Sequence, residues 1–151
     1  MYSNLAIKLY TMVKHGIIKS NALFWREFSK EKVENLDINI FDAEKELQEK
    51  NLNVVCVFDD NFPKIDNNIK NKEKPFLFVY KGNIELLSNI NNNVTVIGVL
   101  MPTPDIENRE QKIVTELVKN NIVVVSGLAH GCDTIAHKTC LTHGGKTIAI
   151  L

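Results

Sequence analysis

The sequence is poor in cysteine, has no excess of charge of either sign and contains no long hydrophobic run. Three cysteines at irregular spacing in 151 residues argue against a disulfide framework and suit a reducing compartment. Eighteen basic and 18 acidic residues leave no formal net charge, which excludes a strongly basic nucleic-acid-binding domain. Residues 1–16 alternate polar and apolar side chains, so no signal peptide is indicated, and no segment could span a bilayer. We therefore expect a cytoplasmic protein with no membrane partner.

Apolar runs alternate with amphipathic segments in the second half of the chain. The pattern predicts strands at 94–98, 122–126 and 147–151, separated by helices at 105–119 and 133–143. Strands joined by helices of this length form parallel sheets with right-handed crossovers. The predicted fold class is α/β, with a partial Rossmann-like parallel sheet preceded by a small N-terminal helical segment.

The first half of the chain indicates short helices followed by two short strands. Helices are predicted at 3–15, after Ser20 and at 39–50, and strands at 54–58 and 76–80. We expect a helical segment over 1–52 and an α/β domain over 53–151. Trp25 is interpreted as a packing contact rather than a base-stacking platform.

A glycine-bearing loop connects the strand 122–126 to the following helix. Ser126, Gly127 and the amides near Gly131 could form an anion-binding concavity at the carboxyl end of a strand, where open α/β sheets bind ligands. The same glycines could instead serve only a tight turn, and spacing alone does not decide between these interpretations. Asp133 is predicted to cap the helix and to support the loop, because its carboxylate would repel a phosphate.

Three other patterns in this region invite an assignment that the spacing does not support. Gly145-Lys146-Thr147 looks like the end of a P-loop, but the required earlier glycine and following helix are missing. The histidines and cysteines between 130 and 143 match no standard zinc spacing, so no metal site is expected. Cys132 lies near a helix N-terminus, which lowers a thiol pKa, but no general base accompanies it.

The loop and its flanking strands resemble the DprA/Smf family, the DNA-processing proteins of bacterial transformation. The resemblance rests mainly on SGLAHGCDTIAH (126–137) and GGKTIAIL (144–151), with weaker matches at Phe62-Pro63, at 75–82 and at 94–103. It implies a non-enzymatic cytoplasmic protein that binds and protects single-stranded DNA, loads a RecA-type recombinase and acts as a homodimer, with no cofactor and no catalytic residue.

The resemblance also implies which residues contact DNA. The positions that match the family pattern and are expected to meet DNA phosphate are Gly98, Ser126, Gly127, Gly131 and Lys146. Asp133 and His137 are expected to hold the loop. Lys146 stands at the entry of a strand, so it could instead be a solvated lysine at the opposite end of the sheet.

One departure from the family pattern weakens the expected site. The family carries Gly-Ser/Thr-Arg after the first strand of the parallel sheet, and this chain has Gly98-Val99-Leu100. A charge-assisted hydrogen bond contributes about 1.5–3 kcal/mol, so its loss would weaken phosphate binding by roughly one to two decades.

Two other functions remain open. One is a nucleotide-binding or phosphoribohydrolase-like Rossmann protein, although 144–147 lacks the proline of the loop that such enzymes use. The other is an inert truncated paralogue, because the apolar run 147–151 has no turn after it and we expect the chain to be cut short there.

Overall fold

The computed structural model describes residues 2–88 and 92–151. Contacts divide the chain into two units, 1–88 and 89–151. This division lies well after the predicted domain boundary at residue 52, because the strands that follow residue 53 pack with the first helix of the chain. The assignment of 53–151 as one domain stays a prediction.

The first unit combines four helices with an antiparallel pair of strands. Its elements are α1 (Asn4–Lys14), α2 (Asn21–Glu27), α3 (Lys30–Glu34), α4 (Phe41–Glu49), β1 (Asn53–Cys56), β2 (Leu77–Tyr80) and a 3-10 helix (Ile84–Leu87). β1 pairs antiparallel with β2, with Asn53 opposite Tyr80. Helix α3 was not predicted, and the segment 89–93, whose asparagines indicate a polar turn, lies partly outside the described residues.

Serine side chains begin three of these helices. Ser3, Ser20 and Ser29 each accept a hydrogen bond from the amide three residues later, which satisfies a donor that has no partner within the helix. Gly16 follows α1 with a φ of +69°, a conformation that glycine adopts without steric cost. The predicted helix starts after Ser3 and Ser20 are therefore confirmed.

An aromatic cluster joins α2 to the strands of the first unit. The Phe24 ring is fully buried and stacks on Phe76 with centroids 4.0 Å apart. Trp25 meets Phe24 edge to face, and its indole N–H donates to the Lys74 carbonyl at 2.9 Å. Trp25 thus serves packing, as the sequence predicted, and it also anchors the 64–75 connection.

The side chain of Lys8, on α1, forms hydrogen bonds at the C-terminal end of the short helix α3. Its ammonium donates to the carbonyls of Val33, Glu34 and Leu36 at 3.4, 2.8 and 2.8 Å. A cation at a helix C-terminus satisfies carbonyls without intrahelical partners and interacts favourably with the helix dipole. One side chain on α1 thereby fixes the position of α3.

The second unit is a three-stranded parallel sheet with two covering helices. Its elements are β3 (Asn93–Thr95), α5 (Pro104–Lys119), β4 (Val123–Ser126), α6 (Cys132–Thr142) and β5 (Thr147–Ala149). The strand order is β3-β4-β5, and both pairs are parallel. The α/β fold class and the parallel β-α-β-α-β order are confirmed.

The core of the second unit lies between the sheet and its helices. Val114, Val124, Ala136 and Cys140 are fully buried there. On α5, the apolar residues Ile106 and Ile113 are exposed and do not take part in this core. No helix in the described ranges, 2–88 and 92–151, is long and apolar enough to cross a membrane.

The start of α6 differs from the prediction. The helix begins at Cys132 rather than Asp133, and its N-cap is Gly131, which has no side chain with which to cap it. Asp133 is the second helical residue, so its assignment as the cap was wrong. An N-cap residue leaves the helical region of φ and ψ, and here Gly131 does so with a φ of +80°.

Replacing Lys8 with methionine should destabilise the first unit. The methionine retains most of the apolar stem but leaves the carbonyls of Glu34 and Leu36 without the Lys8 donor, so we expect a loss of about 1–2 kcal/mol in the free energy of unfolding. Urea unfolding followed by Trp25 fluorescence measures it. Lys45→Met is the matched control, because the pair that Lys45 forms with Glu49, at 3.9 Å, is exposed. Equal losses in both variants would contradict the role of Lys8.

Candidate functional site

Two loops meet at the carboxyl ends of β3 and β4. The loop after β3 crosses the start of α6, where the Val99 carbonyl accepts a hydrogen bond of 3.1 Å from the Cys132 amide. The first amide of α6 is therefore bonded within the protein. In open parallel sheets this edge is where ligands bind, so the two loops form the candidate site.

Gly131 allows the two loops to approach each other closely. A Cβ atom built on Gly131 would lie 2.3 Å from the Val99 carbonyl oxygen and 2.4 Å from the Leu100 carbonyl oxygen. The φ of +80° disfavours every other residue as well. The close backbone contact inside the protein therefore explains why residue 131 is glycine, and no ligand is needed to explain it.

Asp133 supports the loop from the first turn of α6. Its Oδ2 accepts the Ala129 amide at 3.4 Å, and a Cβ atom on Gly127 would lie 2.7 Å from the same oxygen. Thr134 adds a bond from its hydroxyl to the Ala129 carbonyl at 2.8 Å. The carboxylate thus lies directly against Gly127, the residue expected to meet phosphate.

His137 joins the loop to the strand β5. Its Nε2 is 2.5 Å from the Gly127 carbonyl oxygen, and its Nδ1 is 2.7 Å from the Thr147 hydroxyl. A carbonyl oxygen can only accept, so Nε2 carries a proton and donates it to Gly127. His137 is mostly buried and faces the protein interior, an arrangement that favours loop support over catalysis.

Ser126 and Gly98 are engaged within the protein. Ser126 is buried and its hydroxyl donates to the Val96 carbonyl at 2.7 Å. A Cβ atom on Gly98 would lie 2.6 Å from the Cys132 sulfur. Glycine at this position therefore lets the segment that follows β3 pack against α6. Both residues shape the site, and neither presents a free side chain to a ligand.

Lys146 lies at the opposite end of the strands from the two loops. Its carbonyl accepts the Val124 amide at 3.0 Å, near the beginning of β4. At 3.3 Å per residue, this point is about 10 Å along the strand from Gly127. Lys146 therefore does not join the two loops, and any contact that it makes with DNA would belong to a separate place.

Glu110 brings a buried carboxylate close to the loops. This α5 side chain is only 8% exposed, and neither of its oxygens has a hydrogen-bond partner that meets normal geometry. It lies beside Cys132 and raises the pKa of the Cys132 thiol, an effect to which burial adds. The expectation that this pKa is lowered was wrong, because the Glu110 carboxylate beside the thiol disfavours the charged thiolate.

The position of Glu110 in the sequence indicates a buried carboxylate. Glu110 lies four residues before Val114 and seven before Leu117, which places it on the apolar face of α5. A carboxylate in the middle of such a face is unusual, since buried charges are normally paired.

The cysteines and acidic residues do not assemble a metal site. No group of three or more His, Cys, Asp or Glu side chains within the described ranges is placed to hold a metal ion. Burial raises the pKa of the Cys140 thiol and raises that of Cys56 to about 12. All three cysteines are free and buried.

The match to a known family covers most of the chain and includes both loops. Residues 53–151 match the model of the family described as DNA recombination-mediator protein A. The chain belongs to this family. The two loops, 97–101 and 127–132, and the sheet that positions them all lie within the matched residues.

Individual relatives agree with the family match. The chain is 40% identical over 79 residues to "DNA processing protein DprA" of Streptococcus pneumoniae, covering 52% of this chain and 27% of that protein. It is 32% identical over 117 residues to "Protein Smf" of a Synechocystis species, covering 76% of this chain and 29% of that protein. The chain therefore spans less than a third of the length of these relatives.

A solved structure has the same fold. The chain superimposes on the X-ray structure of DNA processing protein A from Streptococcus pneumoniae with a TM-score of 0.72 and 26% sequence identity. The match covers 99% of this chain and 58% of that chain.

Replacing Glu110 with methionine should stabilise the protein. The change removes two buried oxygens without N–H or O–H partners and keeps the volume and helix propensity, so we expect a gain of about 1–3 kcal/mol in the free energy of unfolding. Urea unfolding followed by circular dichroism measures it. Glu116→Met on the same helix is the control, because Glu116 is exposed and pairs only with Lys119. A loss of stability in Glu110→Met would show that the carboxylate has a stabilising partner.

Proposed function

We propose that this protein binds single-stranded DNA at the carboxyl edge of its parallel sheet and takes part in DNA processing during transformation. In this proposal it protects the DNA and passes it to a RecA-type recombinase. It acts in the cytoplasm, as a homodimer and without catalysing a reaction. The observation that carries the proposal is the family match over 53–151, which includes both loops of the candidate site.

The geometry supports a binding edge rather than a catalytic centre. His137 and Asp133 both bond to the loop backbone, and the Cys132 thiol is buried with a raised pKa. A nucleophile needs an accessible and activated group, which this arrangement does not supply. In this proposal the two loops are shaped by Gly98, Ser126, Gly127 and Gly131. Lys146 contacts DNA phosphate at a separate place, at the opposite end of the strands.

DNA binding should be measurable but weakly dependent on salt. The chain has no net charge, so few phosphates are neutralised, and each contributes about −0.7 to the slope of log affinity against log salt concentration. We expect a slope shallower than about −2 for a labelled oligo-dT in fluorescence anisotropy titrations. The same strand annealed to oligo-dA is the control, and it should bind less tightly.

Absence of binding to oligo-dT at low salt, in a protein that unfolds cooperatively, would overturn the proposal and favour an inert paralogue. Binding of free nucleotides without binding of oligo-dT would favour the nucleotide-binding alternative. Titration with a panel of nucleoside mono- and triphosphates separates these two outcomes.

Replacing Leu100 with arginine should add a phosphate contact. The side chain is exposed beside the Gly131 loop, so a guanidinium there reaches solvent next to the proposed site. The salt slope should become steeper by about 0.7, which corresponds to one further phosphate contact on a single strand. Leu141→Arg is the matched control, because Leu141 is equally exposed on α6 but lies outside the two loops. Equal changes in both variants would place DNA binding away from the loops.

A further inference from the structure

Three consecutive large apolar side chains protrude from the loop after β3. Val99, Leu100 and Met101 are 51%, 64% and 89% exposed, and are called here the 99–101 tip. Leu128 on the neighbouring loop is also exposed. Runs of exposed apolar residues are avoided on protein surfaces unless they serve a function, because they reduce solubility.

The backbone of the 99–101 tip is fixed at both ends. The Val99 carbonyl accepts the Cys132 amide, and the Leu100 carbonyl lies against Gly131. Four residues after Val99, the Thr103 side chain caps α5, and Pro104 is the first residue of that helix. The apolar side chains are therefore presented from a fixed frame, which reduces the entropy lost when they contact a ligand.

The surroundings of the tip do not favour a phosphate. Residues 97–101 and 127–133 contain no lysine or arginine. The Asp133 carboxylate lies against Gly127, Glu110 is buried beside Cys132, and the first amide of α6 is already bonded. A phosphate would meet the Asp133 carboxylate and would lie near the buried Glu110, whereas the uncharged bases of a strand would meet an apolar surface.

We propose that the 99–101 tip contacts the unpaired bases of single-stranded DNA, with Leu100 and Met101 packing against or between neighbouring bases. This inference rests on the proposed function, and it names the part of the DNA that the site contacts. Leucine and methionine side chains are used in this way by proteins that insert apolar wedges between base steps. The bases of a single strand are unpaired, so a protein contacts their faces without the free-energy cost of breaking base pairs.

The test compares two oligomers that have the same phosphates and differ in their bases. Anisotropy titrations use a labelled 20-nucleotide oligo-dT and a labelled oligomer of equal length made of abasic spacers. The 151-residue protein should bind oligo-dT about tenfold more tightly than the abasic oligomer, because contacts to the bases are lost in the second. Leu100→Ser with Met101→Ser should remove this difference, and Leu141→Ser should leave it unchanged.

The outcomes separate this inference from the proposed function. Equal affinity of the unmodified protein for both oligomers would overturn the inference and leave DNA binding standing, since phosphate contacts would then carry it. No binding to either oligomer would overturn both. A tip variant that keeps its preference for oligo-dT but loses self-association in light scattering would also overturn the inference, because the tip would then be a contact between copies of this chain.

Discussion

The candidate site depends on one contact between backbone segments, in which the loop after β3 lies across the start of α6. The Val99 carbonyl accepts the first amide of the helix, and Gly131 passes beneath the carbonyls of Val99 and Leu100 with no room for a Cβ atom. This contact joins two loops, 97–101 and 127–132, into one surface. It also uses a helix N-terminal amide that a phosphate would otherwise bind, so the same contact that builds the site reduces its capacity for anions.

The electrostatics of this edge follow from two carboxylates with different roles. Asp133 is bonded to the Ala129 amide and holds the loop, whereas Glu110 is buried without an N–H or O–H partner and raises the pKa of the neighbouring Cys132 thiol. A helix N-terminus attracts negative charge, and this attraction offsets part of the cost of burying Glu110 beside α6. The carboxylates make the edge less favourable for a phosphate than the glycine pattern alone suggests.

The periodicity of the second half was enough to predict the parallel β-α-β-α-β order, because apolar runs and amphipathic helices reflect which faces are buried. Structural details that depend on tertiary contacts could not be predicted from the sequence. Asp133 is a favourable cap in isolation, but the approach of Val99 puts Gly131 in that place and starts the helix one residue earlier. The pKa of the Cys132 thiol depends on Glu110, which is 22 residues earlier in the sequence. No local sequence pattern predicts that these two side chains are neighbours. The helical spacing of Glu110 was enough to place it on the buried face of α5, whereas its contact with the Cys132 thiol was not predictable.

The contacts that hold the loop after β3 involve backbone atoms, and this separates the fold from the chemistry of the site. The Val99 and Leu100 carbonyls and the Gly131 backbone make the close approach, while the side chains at 99, 100 and 101 point into solvent. We therefore expect substitutions at these three positions to leave the loop geometry intact. It follows that the fold does not require apolar residues at 99–101. Three exposed apolar side chains in a row lower solubility without adding to the core, so the reason for their presence lies in what the surface contacts.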